Sequence, residues 1–175
     1  MFEKTYAILS LLEIQNEIKG RKRIQKIFHL LKHLGYEVPF KFTYHFYGPY
    51  SSDLQLELSS RANRTDWEPW KEEESDSTYI YRQAEESKNI KEVLEDNLDC
   101  KALHYPEELI HTLNGKDAPL LELTSTYAYF IDNEHSTEEA KKRTEEMKPK
   151  LLLLLDQAIE LYSEIKKFTK PGIQS

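Results

Sequence analysis

The sequence predicts a mainly α-helical chain with a small β component. Three observations carry this. Apolar residues recur at helical spacing along most of the chain, strand-like alternation is confined to short stretches, and glycine and proline stand mostly at segment ends.

In order along the chain, residues 4–16 place Tyr6, Leu9, Ile14 and the Leu11-Leu12 pair at roughly helical spacing, with Gly20 as the expected stop. Residues 21–34 carry Ile24, Ile27, Phe28, Leu31 and Leu34, an apolar ladder on one face of a second helix closed by Gly35. After Pro39, the aromatics Phe42, Tyr44 and Phe46 alternate with Lys41, Thr43 and His45, which predicts a strand over 40–46. Tyr47-Gly48-Pro49-Tyr50 has turn composition, and Ser51 or Ser52 can cap a third helix running to about Asn63. Residues 67–70 and 78–82 flank the polar run 71–77, so a hairpin with a charged tip is expected, with Pro69 favouring an edge.

Three helices followed by a β-hairpin is the order of a winged helix. The remainder reads as helices over 85–97, 106–114, 119–131, 136–147 and 150–167. Pro106 and Pro119 stand in first turns, Ser136 and Glu139 form a capping box, and five leucines, 151–155, imply a final helix enclosed on all sides at the centre of the second half. The expected architecture is a winged-helix-like N-terminal half, residues 1–84, packed on a C-terminal helical bundle, residues 85–170, the two sharing one core. Residues 171–175 read as a disordered tail.

Charge narrows the function classes. With 31 acidic against 24 basic residues the net charge is -7, which disfavours non-specific binding to nucleic acid. The distribution is uneven: residues 21–33 hold Arg21, Lys22, Arg23, Lys26 and Lys32 without an acid, whereas residues 66–99 are dominated by Asp and Glu. The single cysteine, Cys100, allows no disulfide framework and reads as a buried small hydrophobe, and a cytoplasmic location is expected. No apolar run approaches a membrane span and the N-terminus lacks a leader pattern, so no membrane partner is expected.

Two strings carry a resemblance. Ile24-Gln25-Lys26-Ile27 within the basic stretch 20–28, followed by Tyr44-His45-Phe46-Tyr47-Gly48-Pro49-Tyr50-Ser51, is similar to the signature of bacterial YwgA-like proteins. These in turn resemble the Panacea, or SocA-like, antitoxin domains. Weaker agreement comes from Leu121-Glu122-Leu123 with Thr126 and Tyr127, the helix start 136–140, and Lys148-Pro149-Lys150. The resemblance implies action by binding, either neutralising a toxin or delivering it to a protease, and it brings no catalytic residues. The sequence departs from the wider group at Tyr50 and in the acidic stretch 72–76.

The most pointed residues are Arg21, Lys22 and Arg23, because cations at a helix N-terminus oppose the macrodipole. They either pair with Glu13, Glu17 or the acidic hairpin, or they meet a partner. Gln25 is placed to hydrogen-bond the Tyr-Gly-Pro backbone. The aromatics of 40–50 either pack in the core or offer stacking surfaces. His29 and His33 have the i, i+4 spacing of a metal pair but no acidic third ligand in that helix. No phosphate loop, nucleophile elbow or zinc-protease motif occurs.

The expectation is therefore a non-enzymatic interaction or regulatory module, antitoxin-like or adaptor-like, that binds a partner protein without metal or cofactor. A homodimer is compatible with the sequence. The partner-binding residues expected are Arg21, Lys22, Arg23, Gln25, Lys26, Tyr47, Tyr50 and Ser51 on the second helix, the turn and the third helix. Reversing Arg21 and Lys22 to Glu should then weaken binding with the melting temperature nearly unchanged. The alternative is a winged-helix DNA-binding transcriptional regulator, opposed by Asp53, Glu57 and the acidic wing, although Arg61 and Arg64 lie further along the third helix.

Overall fold

A computed structural model describes residues 2–97, 103–133 and 136–172 of the chain. Cys100 and residues 173–175 of the expected tail lie outside these residues, while Pro171 and Gly172 form a turn.

The first half runs α1 (Glu3–Ile14), β1 (Glu17–Lys19), α2 (Arg21–His33), β2 (Thr43–His45), β3 (Gly48–Tyr50), α3 (Ser52–Arg61), β4 (Trp70–Ser75) and β5 (Thr78–Gln83). The three expected helices and the closing hairpin are present. Two additions were not foreseen. Strand β1 pairs antiparallel with β5 through Glu17↔Arg82, Ile18↔Tyr81 and Lys19↔Ile80, giving a sheet of order β1-β5-β4. Gly20 therefore does not end α1; at φ 102 it turns the chain from β1 into α2.

The second addition is a hairpin between α2 and α3. Gly48–Tyr50 is not the expected turn but a strand, paired as Thr43↔Tyr50, Tyr44↔Pro49 and His45↔Gly48, and the turn falls at Phe46 and Tyr47. In the later hairpin the polar run is not a loop either. Strand β4 continues through it, and the tip is only Asp76 and Ser77, at φ 49 and 63, the positive values a tight two-residue connection needs.

Helix ends follow local chemistry. Gly35 at φ 93 closes α2, with Tyr36 N–H donating to the Leu31 carbonyl and Gly35 N–H to that of Lys32. The second half comprises α4 (Ser87–Asn97), α5 (Glu107–Asn114), α6 (Ala118–Asp132), α7 (Thr137–Met147), a 3-10 segment (Pro149–Leu154) and α8 (Leu155–Ile165), with a short 3-10 turn after it. Both hydrogen bonds of the Ser136/Glu139 capping box are formed.

The leucine run departs from expectation. Pro149 starts a 3-10 segment rather than a long helix, Leu153 is 96% exposed, and of the five leucines only Leu155 is buried. The centre of the second half is instead α6, which packs on α2, α7, α8 and β3. One buried cluster joins both halves, running from Tyr6, Ile18, Phe28 and Trp70 to Leu109, Leu121 and Tyr162. No described helix is long and apolar enough to cross a membrane.

Helices α2 and α6 also meet through polar side chains. His29 Nδ1 lies 2.7 Å from the Ser125 hydroxyl, and His33 sits between Asp132 and the Tyr162 hydroxyl at 2.9 Å from each. Burial, with His33 and two lysines nearby, pushes the His29 imidazole down to about 3 from 6.5. Its folded value is depressed, so its contribution to stability is complete above pH 6.5 and lost as pH falls towards 3. The expected slope is at most about 1.4 kcal/mol per pH unit. Urea midpoints over that range test it: a His29→Asn variant, less stable at neutral pH, should lose this part of the acid dependence.

Candidate functional site

The stretch 38–52 contains Lys41 and His45 but no acid. It crosses the faces of α2 and α6, and long polar side chains hold its backbone. Three ammonium groups each donate to one of its carbonyls: Lys32 to Phe40 (2.6 Å), Lys148 to Phe46 (2.7 Å) and Lys26 to Pro49 (2.6 Å). Gln25 adds a two-point clamp, donating to the Ser51 carbonyl and accepting from the Ser51 N–H, both at 2.8 Å. Ser51 in turn accepts from Leu54 N–H and caps α3. The two motif strings thus form one device: α2 supplies Gln25 and Lys26, and the hairpin and α3 cap supply their acceptors.

Behind the hairpin, Gly48 lies at φ 82 against α6. A Cβ there would stand 2.6 Å from Thr126 Oγ1 and 3.6 Å from Lys26 Nζ, so only glycine lets the strand approach this closely. Glu122 is the carboxylate at this junction, with Oε1 3.2 Å from Lys148 and Oε2 3.8 Å from Lys22. Lys26 is 1% exposed. Burial brings its ammonium down to about 7, with Glu122 opposing and Lys148 and Lys22 reinforcing the shift. The Tyr44 and Thr126 hydroxyls lie buried beside one another without well-formed partners.

What this scaffold presents is aromatic. Phe46, at the hairpin tip, is 89% exposed, Tyr47 is 58% exposed, and Met147 is also on the surface. Tyr44, His45, Phe46 and Met147 line an open groove of about 390 Å³. Lys22 Nζ rests 4.2 Å from the Tyr47 ring centroid, and Tyr50 packs on His45 at 5.2 Å.

The residues expected to form the working face divide sharply. Tyr47 is exposed at the tip and Tyr50 is half-buried, whereas Gln25, Lys26 and Ser51 are buried. Arg21 lies over the Tyr79 ring at 3.5 Å and pairs with Glu72 at 3.6 Å. Lys22 is the cation nearest Glu122 on the solvent side. Arg23 donates to the backbone carbonyls of Lys19, Asn114 and Lys116, sealing the outer edge of β1 onto the end of α5. Arg21 and Arg23 are thus engaged within the molecule, while Lys22, 37% exposed beside Tyr47, keeps a side towards solvent.

The melting-temperature expectation changes accordingly. Arg21→Glu with Lys22→Glu would set carboxylates beside Glu72 and Glu122, so we expect the melting temperature to fall measurably, by calorimetry, and not to stay level.

Other surfaces offer less. On α3, Asp53 pairs with Lys4, and Glu57 accepts from Thr5 and Arg61. The exposed face of that helix carries Leu56, Ser59 and Ser60, and the wing exposes Glu73, Glu74 and Asp76, a poor fit to phosphates. A cleft between α1, α4 and the start of α5 gathers Glu13, Glu95, His104 and Glu107, with Lys91 in its wall already paired with two of them, 2.5 Å from Glu13 and 3.2 Å from Glu95. Among the described residues no group of three or more His, Cys, Asp or Glu could hold a metal.

Sequence reasoning missed Lys32, Lys148, Glu122 and Phe46 as parts of the site. The signals available were Glu122, the lone charge within 120–130, the Lys148-Pro149-Lys150 string and Phe46 among the alternating aromatics. Among known proteins, the chain is similar to the uncharacterized protein YwgA of Bacillus subtilis (strain 168), 28% identical over 170 residues, 95% of this chain and 99% of that protein. This end-to-end likeness supports a YwgA-like family. No family model matches the chain, and no solved structure matches it.

Proposed function

We propose that the chain is a non-catalytic interaction module that binds a partner protein through the β2–β3 tip. The observation that supports this best is Phe46, a large apolar side chain almost wholly in solvent on a tip whose backbone is held by Lys148 and Lys26. A held aromatic loses little conformational freedom on docking, which is what makes aromatic anchors effective hot spots. In this reading Gln25, Lys26, Lys32, Gly48, Ser51 and Lys148 position the tip, while Phe46, Tyr47 and Met147 touch the partner.

The shared Ile-Gln-Lys-Ile and Tyr-Gly-Pro strings, which resemble those of Panacea-type antitoxin domains, agree with action by binding in an antitoxin or adaptor role. Docking α3 into a DNA groove is the weaker fit, since its exposed positions are Ser52, Leu56, Ser59 and Ser60, Arg61 and Arg64 are paired with Glu57 and Asp66, and the wing is anionic. Fluorescence anisotropy on pooled genomic DNA over a salt series, run beside stoichiometric co-purification from the native cell, separates the two. A single protein retained in fixed ratio, with no competitor-resistant DNA binding, is expected. Tight, salt-sensitive, sequence-selective DNA binding would overturn the reading.

A further inference from the structure

We infer that the partner segment docked on the tip is an acidic peptide stretch, with an aliphatic or aromatic anchor in the groove beside Phe46 and carboxylates on either side meeting Lys22 and Lys41. This rests on the partner-binding reading and adds the chemistry of what binds.

The argument is one of charge at a particular place. Around the arm stand Lys22, Lys26, Lys32, Lys41 and Lys148. Three of these donate one hydrogen bond each to a neutral backbone carbonyl, which leaves their charge to the surroundings. Glu122 is the carboxylate paired with Lys22 and Lys148, and the arm itself, 38–52, has no acid. Burial lowers the charge that Lys26 carries near neutral pH, but Lys41 and His45 are exposed. The face is therefore cationic on a chain of net charge -7.

An acidic segment is drawn to this face and repelled by the wing, where Glu73, Glu74 and Asp76 are exposed. The groove supplies the second requirement. Its lining is the aromatic residues Tyr44, His45 and Phe46 with Met147, so it accepts an apolar side chain and offers a sugar-phosphate backbone little. A single-stranded nucleic acid would share the negative charge and stack bases on the same aromatics, so the peptide and the oligonucleotide are set against each other in the test.

The test is selection of random displayed peptides on the whole protein, followed by anisotropy with labelled synthetic copies. Selected sequences should place Asp or Glu beside an apolar residue, and their Asn/Gln counterparts should bind roughly tenfold more weakly. Lys41→Glu, at an exposed position, and Lys22→Gln should each weaken binding, and Phe46→Asp should abolish it, while Leu56→Asp on α3 leaves it intact.

Neutral or basic selected peptides, equal binding of the Asn/Gln copies, displacement by a single-stranded oligonucleotide, or no Phe46-dependent peptide at all would each overturn the inference. Photocrosslinking from position 46 in cells separates the two levels. A trapped partner segment without carboxylates keeps the module and removes the acidic-peptide chemistry, whereas no trapped protein removes both.

Discussion

Replacing Gly48 with alanine should lower stability by roughly 2–5 kcal/mol, the sum of a left-handed backbone forced on a residue with a Cβ and an overpacked contact. For a chain of this size that is a drop in melting temperature on the order of 10 °C. The cause is local: φ is 82 and the added carbon would stand 2.6 Å from Thr126 Oγ1. Thr126→Ala in the same chain removes the clash but not the backbone strain. The double variant should therefore recover part of the loss, and the cycle measures that share. Thermal melts of the four proteins check it. If Gly48→Ala melts with the wild type, the close approach of hairpin and α6 is not what holds the arm.

The second large effect is on binding. Phe46→Asp should cost at least about 2 kcal/mol of partner affinity, or roughly 30-fold, the size of a hot-spot aromatic. The melting temperature should not move, because the side chain is 89% exposed. Titration calorimetry with the purified partner reads the first, and a thermal melt reads the second. Leu56→Asp serves as the control, since Leu56 is a comparably exposed apolar residue on α3. Equal losses from both variants would point to α3 and away from the tip.

The helices were legible because their signals are local. The ladder Ile24, Ile27, Phe28, Leu31 predicted α2 to within a residue, and Gly35, Ser51 and the Ser136/Glu139 box marked ends that the structure confirms. Strand β1 was not legible, since three residues, Glu17, Ile18 and Lys19, are a strand only through partners more than sixty positions away. Pro49 hid β3, because proline ordinarily argues against a strand; here the residue lies in a two-stranded pair and its carbonyl takes the Lys26 ammonium. The charged run in β4 looked like a loop, yet it is an edge strand where solvent accepts glutamates.

The leucines 151–155 misled in the opposite sense. Hydrophobicity predicted burial, but Pro149 sets a 3-10 segment whose threefold period leaves Leu152 and Leu153 outside. The site was half legible. Gly48 was read as turn architecture, while Gln25, Lys26 and Ser51 were placed at the partner face, Gln25 also as a hydrogen-bond support for the Tyr-Gly-Pro backbone. Burial decides between those roles, and it depends on α6 and on Lys148, which lies 102 positions from Phe46.

The central claim is that the motif builds an arm and that the arm's tip makes the contact. A photoreactive amino acid placed in turn at Phe46, Tyr47, Leu56, Glu74 and Val93, all exposed, samples the tip, α3, the wing and α4. Trapping of one partner protein from Phe46 and Tyr47 alone is the result predicted. Trapping from Leu56 or Glu74 with silence at the tip would contradict it.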